Sequence, residues 1–165
     1  MSYANRGKAL QVLINHTNKI YHLKGWAVVD EVPVPITITE DKGRYIRGFK
    51  KDKSTVDYIG LAGGKGIAFD AKSTRELTRF PLTNVHDHQV EYLERFQQQE
   101  GIAFFLVEFA RLNRHYFVPL DFFLPYWKAA KKGGRKSIPF KEIETYCYRV
   151  RSERGVALDY LKYCC

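Results

Sequence analysis

Cysteine is scarce in this sequence: Cys147, Cys164 and Cys165 are the only three in 165 residues. Three make neither a zinc-ligand spacing nor an even disulfide framework, so reduced thiols are expected. Long apolar runs are absent, and none approaches the roughly 18 residues of a membrane helix. The first residues, MSYANRGKALQ, lack the apolar centre of a signal peptide, so a cytoplasmic protein with no membrane partner is expected. Acids are also in short supply. Eighteen Asp and Glu face 27 Lys and Arg, a formal net charge of +9. That excess favours a polyanionic partner, most often nucleic acid.

What is present is a folding sequence. Hydrophobic residues make up 45% and aromatic residues 15%, enough for one domain with a real core. Helical spacing of Leu10, Leu13, Ile14, Thr17, Ile20 and Tyr21 predicts a helix from about Arg6 to Leu23, with Gly25 as its stop. Gln11, Asn15 and Asn18 run along the edge of that stripe. WAVVDEVPVPITITE reads as two extended segments with a bend at Pro33 and Pro35. STVDYIGL and GIAFDAK flank AGGK as a hairpin. A helix is expected from Asn84, with Asn84 and Asp87 as its capping pair and Gly101 as its end. IAFFLVEFA reads as a strand buried on both faces and HYFVPL as another. DFFLPYWKAAKK and SIPFKEIETY read as short helices. The expected fold is α/β or α+β, built on a mixed sheet with flanking helices.

The chemistry centres on Asp57 and on Asp70-Ala71-Lys72. Cleaving a phosphodiester calls for a divalent cation, and Mg²⁺ takes hard oxygens, usually one or two carboxylates with several waters. Asp57 and Asp70 can supply carboxylates from neighbouring strands, and the Ala71 carbonyl a third oxygen. In a strand Asp70 and Lys72 share a face, which brings an ammonium beside metal and phosphate. The bland reading of Asp-x-Lys is a solvated alternating strand face. Gln89 lies among Val85, Tyr92, Leu93 and Phe96, either as a satisfied core amide or as a site residue facing the acids. His86 and His88, if both helical, diverge too far for a zinc pair. GLAGGKG has the wrong spacing for a phosphate loop. Residues 41–56 are basic, with Tyr45 and Phe49 interleaved, as in a projection between two strands.

YANRG (3–7), STVDYIG (54–60), FDAK (69–72), FPLTNVHDHQ (80–89), GIAFFLVEF (101–109) and GRKSI (134–138) stand in the order found in one known family. With them the chain resembles the RecU Holliday-junction resolvases of the PD-(D/E)xK nuclease superfamily. The resemblance implies a single nuclease domain over residues 1–165 with a restriction-endonuclease-like core. It further implies a homodimeric Mg²⁺- or Mn²⁺-dependent endonuclease that nicks four-way DNA junctions in recombination and repair. Recombinase or branch-migration machinery would be a further partner.

Carried over by position, Asp57 and Asp70 match metal carboxylates, Asp70 standing where Glu is usual. Lys72 matches the catalytic lysine, and Gln89 a site glutamine that could also ligate metal. A stalk insertion at about residues 39–54 would enter the junction, with Phe49 and Lys50 at its tip and Arg44, Arg47, Lys51 and Lys53 as further DNA contacts. Arg6 matches an arginine of an N-terminal DNA-contacting segment. Gln11 stands where the family carries an acid, and Val56 where it carries Thr. The neutral Gln11 keeps a second reading open: a junction-binding accessory protein with weak or lost nuclease activity. A third reading, a related nuclease acting on ordinary duplex, is opposed by the stalk-like segment.

Overall fold

The computed structural model describes residues 3–51 and 55–164, with side chains from residue 7 onward. Helix α1 spans Tyr3–Leu23, and Gly25, at φ 67°, ends it as expected. Strands β1 (Ala27–Glu31), β2 (Ile36–Asp41), β3 (Ile46–Lys50), β4 (Tyr58–Ala62), β5 (Lys65–Thr74) and β6 (Arg79–Pro81) follow. Then come α2 (Asp87–Gln98), β7 (Ile102–Phe109), β8 (Arg114–Pro119), α3 (Leu120–Lys131), β9 (Ser137–Pro139), α4 (Phe140–Tyr146) and β10 (Tyr148–Val150).

Six strands form the main sheet in the order β1-β4-β5-β7-β8-β10. Among the described strands only β5 and β7 pair in parallel, with α2 in the connection between them. The other pairs are antiparallel, so the sheet is mixed, as the sequence led us to expect. Gly60 lets β1 and β4 approach: a Cβ there would lie 2.2 Å from the Val28 carbonyl oxygen.

The sheet separates two apolar cores. Leu10, Ile14 and Tyr21 of α1 cover one face, against Tyr58, Phe69, Phe104 and Tyr160. Leu93 of α2 and Phe123 of α3 cover the other, against Ala68, Phe105 and Val107. Strand β5 feeds both, because its side chains alternate: Ile67 and Phe69 enter the first core and Ala68 the second. Asp70 and Lys72 continue the Ala68 row, on the α2 side.

Three expectations change. Helix α2 begins at Asp87, three residues later than predicted. Leu82–Asn84 instead forms a 3₁₀ turn that buries Leu82, and Val85 is extended. His86 is the true N-cap, in a reciprocal capping box with Gln89. Within SIPFKEIETY, Ser137–Pro139 is a strand paired with β6, and only Phe140–Tyr146 is helical.

The projection is a two-stranded hairpin of β2 and β3, spanning Ile36–Lys50 where residues 39–54 were expected. Its turn lies at Lys42–Tyr45, closed by the Lys42 N–H donating to the Tyr45 carbonyl at 3.0 Å. Phe49 faces Thr37 and Lys50 faces Ile36 at the base of the hairpin, so they are not its tip. Antiparallel pairing from residue 36 leaves no other register for them. Lys42, Arg44 and Tyr45 occupy the tip.

Candidate active site

Gly63 and Gly64, at φ 56° and 80°, make the tight turn between β4 and β5. That turn sets Tyr58 opposite Phe69 and thereby brings Asp57 opposite Asp70, one step beyond the last β4–β5 pair. Asp57 immediately precedes β4 and is not itself part of the strand. Here the two acids replace the ladder with a reciprocal lock. The Asp57 N–H donates to Asp70 Oδ1 at 3.1 Å, and the Ala71 N–H donates to Asp57 Oδ2 at 3.2 Å. The Asp57 carbonyl accepts from the Val32 N–H at 2.7 Å, which ties the site to the end of β1.

Lys72 lies on the same face as Asp70, as strand alternation predicts, with Nζ 2.8 Å from Asp70 Oδ2. Gln89 reaches the pair from the first turn of α2. Its Nε2 donates to Asp70 Oδ1 at 3.1 Å, and its Oε1 accepts the His86 N–H at 3.0 Å. The expected bond from Gln89 to the acids is therefore present. In this arrangement the amide nitrogen of Gln89, and not its carbonyl oxygen, faces Asp70.

Asp70 is fully buried. Burial pushes its carboxyl up, Lys72 pulls it down and Asp57 pushes it up again, leaving it raised to about 7. Lys72 thus does not outweigh burial and the Asp57 charge at Asp70. Asp70 Oδ2 is buried and holds the Lys72 ammonium at 2.8 Å. Two carboxylates side by side, one of them buried, are a donor set that suits a hard divalent cation.

Other predicted positions fall as follows. Asp41 to Lys51 are all exposed, including Arg44, Arg47, Phe49, Lys50 and Lys51. Glu40 pairs with Lys42 at 2.9 Å and with Arg47 at 3.8 Å. Lys53 and the Arg6 side chain lie outside the described residues. Because His86 is a cap and not helical, its ring stacks on His88, with centroids 5.7 Å apart and planes within 5°. The Gln11 side chain is turned to Glu31. It donates to Glu31 Oε1 at 3.4 Å, and Asn15 donates to Glu31 Oε2 at 2.8 Å. Glu31 was not singled out from the sequence; the acid pair Asp30-Glu31 ahead of the prolines was its one available signal.

The family model described as "Recombination protein U", RecU, matches residues 5–164. The chain belongs to the RecU family. Similar RecU proteins carry the name "Holliday junction resolvase RecU". One from Oenococcus oeni is 34% identical over 96% of this chain and 84% of its own length. One from a Geobacillus species is 35% identical over 97% and 83%. One from Staphylococcus aureus (strain JH9) is 36% identical over 98% and 81%. Among solved structures, Hjc, a Holliday junction resolvase of Archaeoglobus fulgidus, aligns with a TM-score of 0.45 and 12% identity. It covers 80% of this chain and 92% of its own. No helix among the described residues is long and apolar enough to cross a membrane.

Proposed function

We propose that this RecU-family chain is a Holliday-junction resolvase: a divalent-metal-dependent endonuclease of the PD-(D/E)xK superfamily that places paired nicks in four-way DNA junctions. One observation carries the catalytic part. Asp57 and Asp70 are locked face to face by backbone N–H groups, with Lys72 paired to the buried acid. A solvated strand face would have no reason to bury Asp70 completely.

Asp57, Asp70 and the Ala71 carbonyl are the oxygens we assign to Mg²⁺ or Mn²⁺. When bound, the cation would neutralise developing charge on the phosphate and make water a better nucleophile. Gln89 acts on Asp70, its amide fixing which way the carboxylate faces, and its carbonyl oxygen is a further candidate oxygen for the cation. Lys72, 13% exposed, is positioned to stabilise charge on the phosphate or to orient the attacking water.

The exposed basic hairpin is the part we assign to the junction centre, where phosphates from four arms converge. A closed two-fold homodimer would match the approximate two-fold symmetry of a junction and supply two equivalent sites. A resolvase of this kind would act on DNA in the cytoplasm, with recombinase or branch-migration machinery as its expected partners. A binding-only accessory role would rest on the neutral Gln11, yet the Asp57–Asp70–Lys72 set is complete.

The test is incubation with Mg²⁺ and a labelled mobile four-way junction beside a linear duplex of the same sequence. Paired nicks in the junction alone are expected. Binding without nicking would favour the accessory role, and equal nicking of both would make the protein a general nuclease.

A further inference from the structure

Residues 128–136, KAAKKGGRK, carry five cations and no acid. They run from the last turn of α3 into β9 and lie on the α2 side of the sheet, away from the hairpin of β2 and β3. The loop is a fixed element. Gly133, at φ 87°, turns the chain out of α3, and the Gly134 N–H bonds back to the Ala129 carbonyl at 2.9 Å. On the far side of the turn, the Lys136 carbonyl accepts the Leu82 N–H at 3.0 Å, and Arg135 Nε donates to the buried Ser137 hydroxyl at 3.0 Å. The cations are therefore presented from a braced backbone on both sides of the turn.

The loop is also tied to the candidate active site. Lys131 pairs with Asp87, and two residues further along the same turn of α2, Gln89 holds Asp70. Lys128 lies 3.9 Å from Glu94 of α2. These two pairs offset the nearby acids of α2, whereas Lys132 and Lys136 have no acidic partner among the described residues. Between the loop and α2 runs a groove with an apolar floor of Leu82, Val85, Trp127 and Ala130 and with Lys131 and Lys136 on its rim. The Lys131 ammonium sits over the Trp127 ring, 4.6 Å from its centroid. Unpaired cations on a braced loop, above an apolar floor and beside the start of a helix, suit a regularly spaced polyanion.

We infer that the 128–136 loop and the groove beside it carry the phosphate backbone of a duplex arm leading away from the Asp57–Asp70 site, a DNA contact separate from the hairpin. This rests on the reading of Asp57 and Asp70 as a nuclease centre. The two surfaces divide the work: the hairpin meets the crossover, and the loop holds an arm in line with the metal carboxylates. An arm is ordinary duplex, so the loop does not distinguish a junction from a linear DNA.

The test is fluorescence anisotropy of a labelled four-way junction and a linear duplex, titrated with the full chain in EDTA over a KCl series. Lys132→Ala/Lys136→Ala is compared with the parent and with Arg149→Ala/Arg151→Ala, which removes the same charge from exposed positions at the β10 edge of the sheet. The loop pair should weaken binding to both DNAs alike, and both salt slopes should become shallower by about 1.8, at about 0.9 for each phosphate contact. Lys132→Glu/Lys136→Glu should weaken both further. The β10 pair should keep the parent's slope. Parental affinity and slope in the loop pair overturn the inference and leave the surface to a partner other than DNA. An equal loss in the β10 pair overturns it as well, since net charge and not the loop would then be responsible. A loss on the junction alone overturns the assignment to an arm. None of these results touches the nuclease reading, which fails separately if Asp70→Asn nicks the junction at the parental rate.

Discussion

The Gln89 side chain joins two jobs that are usually separate: it closes the capping box of α2 through Oε1 and orients the buried Asp70 through Nε2, at 3.1 Å. The geometry of the acid therefore depends on where the helix starts. Gln89→Ala should cost about 1 kcal/mol of stability, as the loss of a cap does. It should also slow junction nicking by about 10- to 100-fold, as the loss of a residue that orients a ligand does. Junction affinity should stay unchanged. Chemical denaturation, nicking time courses and gel-shift titrations on one preparation check all three.

Asp70 makes stability depend on pH in an unusual direction for a carboxylate. Its folded-state value of about 7 lies above the usual one because burial and Asp57 outweigh Lys72. The folded protein then holds a proton that the unfolded chain releases near pH ~4. In chelator, this contribution to stability is fully present below about pH 4 and is lost as pH rises through about 7. Asp70→Asn should flatten that part of the profile. Adding Mg²⁺ to the parent protein should raise its melting temperature most at the high-pH end. Melting curves from pH 4 to 8, with EDTA or with Mg²⁺, measure it.

The hairpin makes a prediction about place as well as charge. Lys42 and Arg44 sit at its turn, whereas Lys50 and Lys51 lie at its base. If the tip enters the junction centre, Lys42→Ala/Arg44→Ala should weaken junction binding more than duplex binding. Lys50→Ala/Lys51→Ala should weaken both alike. The salt slope for junction binding should fall by about 0.9 for each phosphate contact removed. Gel-shift titrations over a salt series, with junction and duplex, separate the two pairs. Equal effects from tip and base would make the hairpin a general DNA-binding surface.

Much of this was legible in the residues. Strand alternation put Asp70 and Lys72 on one face, and the two-glycine turn brought Asp57 opposite Asp70. The apolar run at residues 102–109 announced a strand buried on both faces, but not its parallel pairing with β5. Composition placed the hairpin but not its turn, because Phe49-Lys50 reads as a tip until pairing from Ile36 uses those residues up. The start of α2 was misplaced because Asn84 is a good cap by type, while the burial of Leu82 and the His86–Gln89 box decide the outcome. The contacts of Glu31 were hidden because its partners, Gln11 and Asn15, lie about 16 to 20 residues away on another element. The pairing of Tyr21 with Asp159 and of Asn18 with Tyr160, which fastens the C-terminal segment to α1, was equally invisible at separations beyond 135 residues.

On the proposed mechanism, a buried carboxylate opposite Asp57 drives phosphodiester cleavage while other surfaces provide affinity. The most direct measurement compares Asp70→Asn with the parent protein on one labelled four-way junction in Mg²⁺, scoring binding and nicking in parallel. Asn keeps the shape and removes the charge, so nicking should fall to background while the junction dissociation constant stays within about 2-fold, since phosphate contacts dominate affinity. Nicking at the parental rate by Asp70→Asn, free of contaminating nuclease, would contradict the account.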